Sequence, residues 1–320
     1  MTTLPSPEFC ALSARLGSDP LQVQGPGGNT SIKADGVMWI KASGTELADA
    51  ERKSIFVAVD REKAKAEAFG AGDGTCKSTV LDPANTLRPS IETTFHALLD
   101  WAVVAHTHSV ATIVHAISPQ GRAAAANKLD GLPVIFVPYR KPGVPLTAAI
   151  IERLKPDTQI IILENHGLVY AGASVQEVSD LVAQVEDRLA MPVLSEGAST
   201  PTGPAPDGYT WHAHANILAH DPRLRNLVTS GTYYPDHVVF LGPALPTEPG
   251  HPACIIGTEG AALRTDATSS QAAMLKCISD VLIRVPEDWS LDPIGPDAEA
   301  ELLNWDAEKY RQALAAKGAQ

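Results

Sequence analysis

The sequence lacks the features that mark several large classes of protein. No apolar run reaches the roughly 18 residues of a membrane-spanning helix, and the first residues show no basic region followed by the apolar stretch of a signal peptide. Its 4 cysteines are scattered over 320 residues without a CxxC pair, which predicts free thiols in a reducing compartment. We therefore expect a cytoplasmic protein that neither spans a membrane nor depends on disulfides.

Positive charge is also scarce. The chain carries 25 Lys and Arg against 37 Asp and Glu, a net charge of −12, which argues against nucleic acid or an anionic membrane surface as a partner. An anionic substrate would need locally placed donors. The length of 320 residues predicts one large domain or a domain with an appendage, and the hydrophobic fraction of 44% is ample for a core.

Strand-like and helix-like segments alternate as far as residue 190. This alternation predicts an α/β fold, a three-layer αβα sheet with helices on both faces. Asp35-Gly36 between two short strands predicts a hairpin, and a helix is expected to begin at Ser90 and to include Ile91. The Gly-, Pro- and Ser-rich stretch 195–208 is typical of a linker or long loop. We therefore predict a first domain at 1–194 and a mixed C-terminal extension of open role at 209–320.

Three histidines follow two apolar segments that are predicted to be buried strands. His106 and His108 come directly after AVVA (102–105), and His166 follows IIIL (160–163). Residues two apart in an extended chain share a face. If both strands run parallel in one sheet, the three imidazoles meet at one edge, and three imidazoles leave a fourth position open, as in catalytic zinc sites. Chance is the alternative for a single pair, and His212 and His214, in a helix-like context, are predicted to be structural.

Glu92 is a candidate proton carrier for such a site. It is predicted to lie in the first turn of the helix before AVVA, where the helix N-terminus stabilises a carboxylate. It could act as a general acid/base or bind the metal temporarily, although a solvated first-turn carboxylate is the alternative. His96, one turn further on, is interpreted as a core or supporting residue rather than a ligand.

Two small-residue stretches, GPGGNTSIK (25–33) and KASGTE (41–46), have the composition of an anion-binding loop. Gly27, Gly28 and the Ser43-Gly44-Thr45 turn offer backbone N–H groups that can form a nest for an oxygen cluster such as phosphate. Lys33 and Lys41 add nearby positive charge. A glycine-rich turn taken alone is equally typical of an ordinary tight loop.

The motifs GGNTS, SGT, RPSIETTFH, AHTHS and NHGL together resemble the class II aldolase/adducin family, which includes the fuculose- and rhamnulose-phosphate aldolases. The resemblance covers about residues 10–190 in order and spacing. The stretches WIKASGTELADA, VPYRKPGVPL and YPDHVVFLGP resemble the branch in which a rhamnulose-phosphate aldolase is fused to an alcohol dehydrogenase. No dinucleotide-binding pattern follows in this chain, so the second activity is not expected.

The resemblance implies a role for each matching residue. It implies that His106, His108 and His166 bind Zn²⁺ or another divalent ion such as Mn²⁺, Co²⁺ or Fe²⁺, and that Glu92 is the acid/base. The positions that hold the substrate phosphate in the sugar-phosphate aldolases are matched by Gly28, Asn29, Ser43, Gly44 and Ser90. In those enzymes the metal chelates a keto and a hydroxyl oxygen and stabilises an enediolate. The family also implies a homo-oligomer, usually a tetramer.

One position departs from the family pattern. The phosphate aldolases have the pattern P-S-S-E at this helix start, whereas this chain has Ile91 between Ser90 and Glu92. Because isoleucine cannot donate a hydrogen bond, one phosphate contact is missing. The substrate is then either unphosphorylated or carries a carboxylate that Arg88, Lys33 or Arg140 would bind.

The leading hypothesis is a metal-dependent lyase that cleaves a C–C bond of a small hydroxy-keto compound by retro-aldol chemistry. Decarboxylation or epimerisation through the same intermediate is the close alternative, and water activation by the same metal stays open. A non-catalytic adducin-like assembly module is less favoured, because such modules lack the histidines. An iron oxygenase site of two histidines and a carboxylate is not favoured either, because residues 109–119 contain no carboxylate.

Overall fold

The computed structural model describes residues 5–195, 200–250 and 253–318. Ten strands are present in these ranges: β1 (Asn29–Ala34), β2 (Val37–Lys41), β3 (Phe56–Asp60), β4 (Val103–Thr107), β5 (Val134–Val137), β6 (Ile160–Leu163), β7 (Gly167–Gly172), β8 (Tyr209–Trp211), β9 (Cys254–Ile256) and β10 (Ala261–Arg264). The α-helices are α1 (Pro7–Ser18), α2 (Arg61–Glu67), α3 (Thr93–Leu98), α4 (Val110–Ala116), α5 (Pro119–Lys128), α6 (Val144–Ile151), α7 (Val175–Leu189), α8 (Asn216–His220), α9 (Pro222–Ser230), α10 (Pro235–Leu241), α11 (Ser269–Leu282), α12 (Pro296–Leu303) and α13 (Asp306–Gly318).

Seven strands form the main sheet in the order β3-β2-β1-β4-β7-β6-β5. Only β5 and β6 pair in parallel, and the other neighbours are antiparallel. Since β4 and β6 are both antiparallel to β7, they run in the same direction and end at the same edge. The two strands therefore end at one edge of the sheet, as expected, although they are not neighbours because β7 lies between them.

Alternating side chains of β4 pack on opposite faces of this sheet. Val103 and Ala105 lie in a core shared with α1 and α7, whereas Val104 lies in a core with Phe95 of α3 and with α6. Helices thus cover both faces, and the predicted three-layer α/β arrangement is confirmed. Because side chains of a strand alternate, His106 points to the same face as Val104, under α3.

The predicted hairpin is confirmed. β1 and β2 pair with Ala34 opposite Val37, and the two residues between them, Asp35 (φ 51°) and Gly36 (φ 78°), both have positive φ. This two-residue turn matches the right-handed twist of the strands. The hairpin places β1 against β4, with Asn29 directly opposite His106.

The predicted start of the helix that follows Pro89 is wrong. The helix α3 begins at Thr93 with Glu92 as its N-cap residue, so Ile91 lies outside it. The backbone N–H of Ser90 donates to the carbonyl of Lys41 (3.1 Å), and the N–H of Thr93 donates to the carbonyl of Ser90 (3.1 Å), so residues 90–93 form a separate turn beside the end of β2. The Ser90 hydroxyl instead accepts a hydrogen bond from the N–H of Glu92 (3.2 Å).

The C-terminal segment forms a small sheet of its own, in the order β8-β10-β9. Apolar residues of α4 share one core with residues of α8, α9, α10 and α11, so this segment packs directly on the first 194 residues. In the stretch predicted to be a linker, residues 195 and 200–208 contain neither helix nor strand, and 196–199 lie outside the described residues. Among the described helices, none has both the length and the apolar character that crossing a membrane requires.

Candidate metal centre

His106 and His108 stand at the end of β4 with their imidazoles side by side. His106 Nδ1 lies 2.9 Å from the carbonyl oxygen of Leu168 in the neighbouring strand β7, so that Nδ1 carries the proton and Nε2 a lone pair. His108 Nδ1 lies 3.1 Å from a carboxylate oxygen of Asp236. The two Nε2 atoms are 3.1 Å apart, and both rings are buried.

His166 reaches the same point from the turn between β6 and β7. Asn165 in this turn has a φ of 54°, and its side-chain amide donates to the carbonyl oxygens of Tyr233 (3.0 Å) and Asp292 (2.7 Å). Gly167 permits the close approach of β7 to β4, because a Cβ there would lie 2.3 Å from the carbonyl oxygen of Thr107. The structure therefore brings the third predicted histidine next to the other two.

One ligand atom from each member of this histidine triad (His106, His108 and His166) lies within 4.8 Å of the others. Two nitrogens bound to one tetrahedral zinc at about 2.0–2.1 Å would lie about 3.3 Å apart, close to the 3.1 Å between the Nε2 atoms of His106 and His108. Burial lowers the pKa of His106, and it lowers the pKa of His166 to about 3. Neutral imidazoles whose lone pairs face each other fit a divalent cation.

Glu92 lies beside the triad in a buried position. Its Oε2 accepts a hydrogen bond from the side-chain amide of Asn29 (2.8 Å) and lies 3.4 Å from Nε2 of His106. Its Oε1 lies 3.7 Å from Nε2 of His166 and has no hydrogen-bond partner among the described residues. Burial favours a higher pKa, but His106 and His166 outweigh it and the pKa of Glu92 falls below its usual value. This carboxylate is ionised and is not a solvated first-turn residue.

His96 lies behind Glu92 and does not join the triad. Its Nδ1 is 2.8 Å from the hydroxyl of Ser31, and its Nε2 is 2.5 Å from the side-chain oxygen of Asn29. Burial lowers the pKa of His96 well below its usual value. In the resulting chain of contacts, His96 fixes the amide of Asn29, which in turn holds Oε2 of Glu92.

A cavity adjoins the triad and gathers the five residues that match the phosphate-binding positions of the family. Its wall contains Ile91, Glu92 and two members of the triad, His108 and His166. The expected substrate-binding residues that line it are Gly28, Asn29, Ser43, Gly44 and Ser90. These residues come from the first hairpin, the turn after β2 and the segment before α3, so the fold assembles them from three separate stretches.

The cations expected to bind a substrate carboxylate do not line this cavity. Lys33 donates to the carbonyl of Trp101 (2.8 Å), Arg140 donates to the carbonyl of Tyr139 (2.8 Å), and Arg88 stacks over the Tyr310 ring at 3.9 Å. Each of these cations has a partner of its own, and their role in binding a substrate carboxylate stays a prediction. Lys41 lines the cavity instead, with its pKa lowered to about 7 by burial and by Arg311.

Three charged residues of the cavity wall come from the C-terminal segment: Asp236, Glu308 and Arg311. All three are buried. Asp236 belongs to the extension of open role, in the stretch YPDHVVFLGP, and Glu308 and Arg311 were missed. No local pattern marks them, since Asp236 stands at the start of an apolar helix and the other two lie on a polar terminal helix.

The family comparison covers the part of the chain that carries the triad. The model of the Class II Aldolase and Adducin N-terminal domain family matches residues 8–193. This stretch also contains Glu92 and the five expected substrate-binding residues. The chain belongs to this family. Members of the class II aldolase group are divalent-metal-dependent, and the buried histidine triad could hold such an ion.

Individual relatives of this chain resemble the same part of it. The uncharacterized oxidoreductase YuxG of Bacillus subtilis (strain 168) is 31% identical over 184 residues, 52% of this chain and 26% of YuxG. The chain therefore matches about a quarter of that relative's length. The N-terminal class II aldolase domain of a conserved protein from Thermoplasma acidophilum is 27% identical, with a TM-score of 0.50 over 59% of this chain and 94% of that one. An L-fuculose 1-phosphate aldolase is 19% identical, with a TM-score of 0.39 over 57% of this chain and 81% of that one.

Gly28 offers a test of how tightly the hairpin packs against the triad. Its φ is 57°, and a Cβ there would lie 2.8 Å from the carbonyl oxygen of His106. Gly36 is the matched control, because its φ is 78° but nothing lies within 4 Å of an added Cβ. We expect Gly36→Ala to lower the free energy of unfolding by about 1–2 kcal/mol through backbone strain alone, and Gly28→Ala by about 1–3 kcal/mol more through overpacking.

Urea unfolding of both variants at 25 °C measures the difference. Equal losses in Gly28→Ala and Gly36→Ala would show that the hairpin does not press on the backbone of His106.

Proposed function

We propose that this chain is a divalent-metal-dependent lyase that cleaves a C–C bond of a small hydroxy-keto compound by retro-aldol chemistry. The observation that carries the proposal is the position of Glu92: a buried carboxylate with Oε1 free, 3.7 Å from His166 Nε2, on the wall of a cavity. Family membership supports aldolase-type chemistry in general. The substrate and the particular reaction are our inference.

In this proposal the histidine triad holds the ion through its three imidazoles, with Zn²⁺ first and Mn²⁺, Co²⁺ or Fe²⁺ as alternatives. Bound there, the ion supplies Lewis-acid polarisation of adjacent carbonyl and hydroxyl oxygens. The neutral state of His106 and His166, which follows from their lowered pKa values, is the state in which an imidazole can donate its lone pair. Neither of these two rings has to lose a proton before the ion binds.

Glu92 moves the proton in the proposed reaction. Asn29 holds Oε2, so Oε1 is the oxygen that is free to act. It takes the proton from the hydroxyl group as the C–C bond breaks, an aldehyde leaves, and the bonding electrons stay on the keto fragment as an enediolate. The same carboxyl group then returns the proton to the carbanionic carbon, which releases the ketone.

Two observations favour a substrate without phosphate. Ile91 lines the cavity at the position where the pattern of the phosphate aldolases has a serine. In addition, Leu314 of α13 covers the turn after β2, since a Cβ on Gly44 would lie 2.4 Å from Leu314 Cδ1. We infer that Ser43, Ser90 and Lys41 bind a hydroxyl or carboxylate end. Because Lys41 could hold a carboxylate, decarboxylation of a short keto acid is the second candidate.

A substrate screen tests the reaction directly. The metal-loaded protein should be given short aldehydes together with dihydroxyacetone, its phosphate, glycolaldehyde or short keto acids. We expect carbon–carbon bond formation with an unphosphorylated ketone, loss of activity with a chelator, and recovery on adding one divalent ion. Faster turnover with dihydroxyacetone phosphate would contradict the inferred substrate class, and no turnover of any pair would contradict the lyase.

The triad is tested by metal content. We expect about one divalent ion per chain in the purified protein, lost when His106, His108 or His166 is replaced by alanine. His214→Ala is the control, because His214 is a histidine with an aspartate partner (Asp280, 3.2 Å) outside the triad. Elemental mass spectrometry measures the content. Full occupancy in all three triad variants would rule out the proposed site.

The role of Glu92 is tested by Glu92→Gln, which removes the charge and keeps the shape. We expect turnover to fall by about 10²-fold or more, the usual contribution of a general acid/base, in a folded protein. Glu67→Gln is the matched control, because Glu67 is as buried as Glu92, at 4% exposure, but binds Cys76 N–H and Ser78 away from the cavity. Unchanged turnover in Glu92→Gln would remove this residue from the mechanism.

A further inference from the structure

One member of the triad has a carboxylate partner from outside the family-matched residues. Asp236 is the second residue of α10 and is 2% exposed. Its Oδ2 lies 3.1 Å from Nδ1 of His108, the distance of an ion pair. A carboxylate at Nδ1 keeps the proton on that nitrogen, which leaves the lone pair of Nε2 for a metal ion.

The chain leaves room for this contact at Gly27. A Cβ on Gly27 would lie 2.9 Å from Nδ1 of His108 and 3.0 Å from Oδ2 of Asp236. Any larger residue would therefore press on both partners. The backbone of the glycine-rich turn and the side chain of Asp236 thus enclose the same nitrogen of His108.

The other oxygen of Asp236 is held from the end of the chain. Arg311 of α13 donates from Nη2 to Oδ1 of Asp236 (3.0 Å) and from Nη1 to both carboxylate oxygens of Glu308 (3.0 and 2.9 Å). Its guanidinium also lies 5.4 Å from the centre of the Phe240 ring.

We propose that Asp236 and Arg311 are positioning residues of the metal centre, which orient His108 and raise its affinity for the ion. This inference rests on the proposed metal site at the histidine triad. It makes the C-terminal segment part of that site, since α10 and α13 supply contacts that the first 194 residues do not contain. Arg311 acts through Asp236, and Asp236 acts through His108.

The zinc affinity of the full-length chain tests the proposal. Metal-free protein is titrated with Zn²⁺ in competition with a chromophoric chelator. An amide has one acceptor atom and can serve His108 or Arg311 but not both, so we expect Asp236→Asn to bind zinc about 10- to 100-fold more weakly, as removal of such partners usually does. Asp280→Asn is the matched control, because Asp280 is also a buried partner of a histidine (His214, 3.2 Å) but lies outside the triad.

A second pair of variants keeps the test valid if Asp236→Asn does not fold. Arg311→Met should also weaken zinc binding. Lys309→Met is its control, because it removes a positive charge from the same helix, where Lys309 pairs only weakly with Asp306 (3.5 Å). We expect Lys309→Met to leave zinc binding unchanged.

In metal-free protein, long-range ¹H–¹⁵N spectra should show His108 protonated at Nδ1 in the wild type and a mixture of tautomers in Asp236→Asn.

The outcomes separate this inference from the proposed function. If the wild type binds zinc and both Asp236→Asn and Arg311→Met bind it as tightly, the positioning role is overturned and the metal site stands. If the wild type binds no divalent ion, the metal site itself is overturned, and the positioning role with it.

Discussion

The pairing register of three strands is the constraint on which the rest of the site depends. β4 lies between β1 and β7, which places Asn29 opposite His106 on one side and Val169 opposite it on the other. A slip of one residue would turn His106 to the opposite face of the sheet, away from Glu92 and α3. Gly28 and Gly167 permit this register, because at both positions a Cβ would meet the β4 backbone at less than 3 Å.

The register brings several polar groups of the site together. Nitrogen lone pairs of three imidazoles and the charge of Glu92 converge in a buried place, and Glu92 Oε1 and His166 Nδ1 lack hydrogen-bond partners among the described residues. Buried polar groups without partners are costly. A sequence that keeps such a cluster breaks the local rules of stability, and this is typical of functional sites. A cation is the simplest partner for the imidazole nitrogens and the Glu92 oxygen that face this point.

Much of the fold could be predicted from local patterns, and the failures have physical causes. The hairpin at Asp35-Gly36 and the common edge of β4 and β6 follow from turn chemistry and strand direction. The start of α3 was predicted wrongly, because Ser90 pairs with Lys41, a contact between distant residues that no local propensity contains. Partners such as Asp236 and Arg311 depend on how the C-terminal segment docks, which short motifs do not encode. Oligomeric state and cytoplasmic location stay predictions.

The C-terminal helix links the two halves of the proposed site. Leu314 of α13 packs over Gly44, which matches a phosphate-binding position of the sugar-phosphate aldolases. Arg311 of the same helix holds Asp236 against the triad. A substrate that needed the space above Gly44 would have to displace α13. Since Arg311 is one turn from Leu314, that displacement would also withdraw the cation from Asp236. A small unphosphorylated substrate is the kind that leaves both contacts intact, so the docking of α13 favours the same substrate class as Ile91 does.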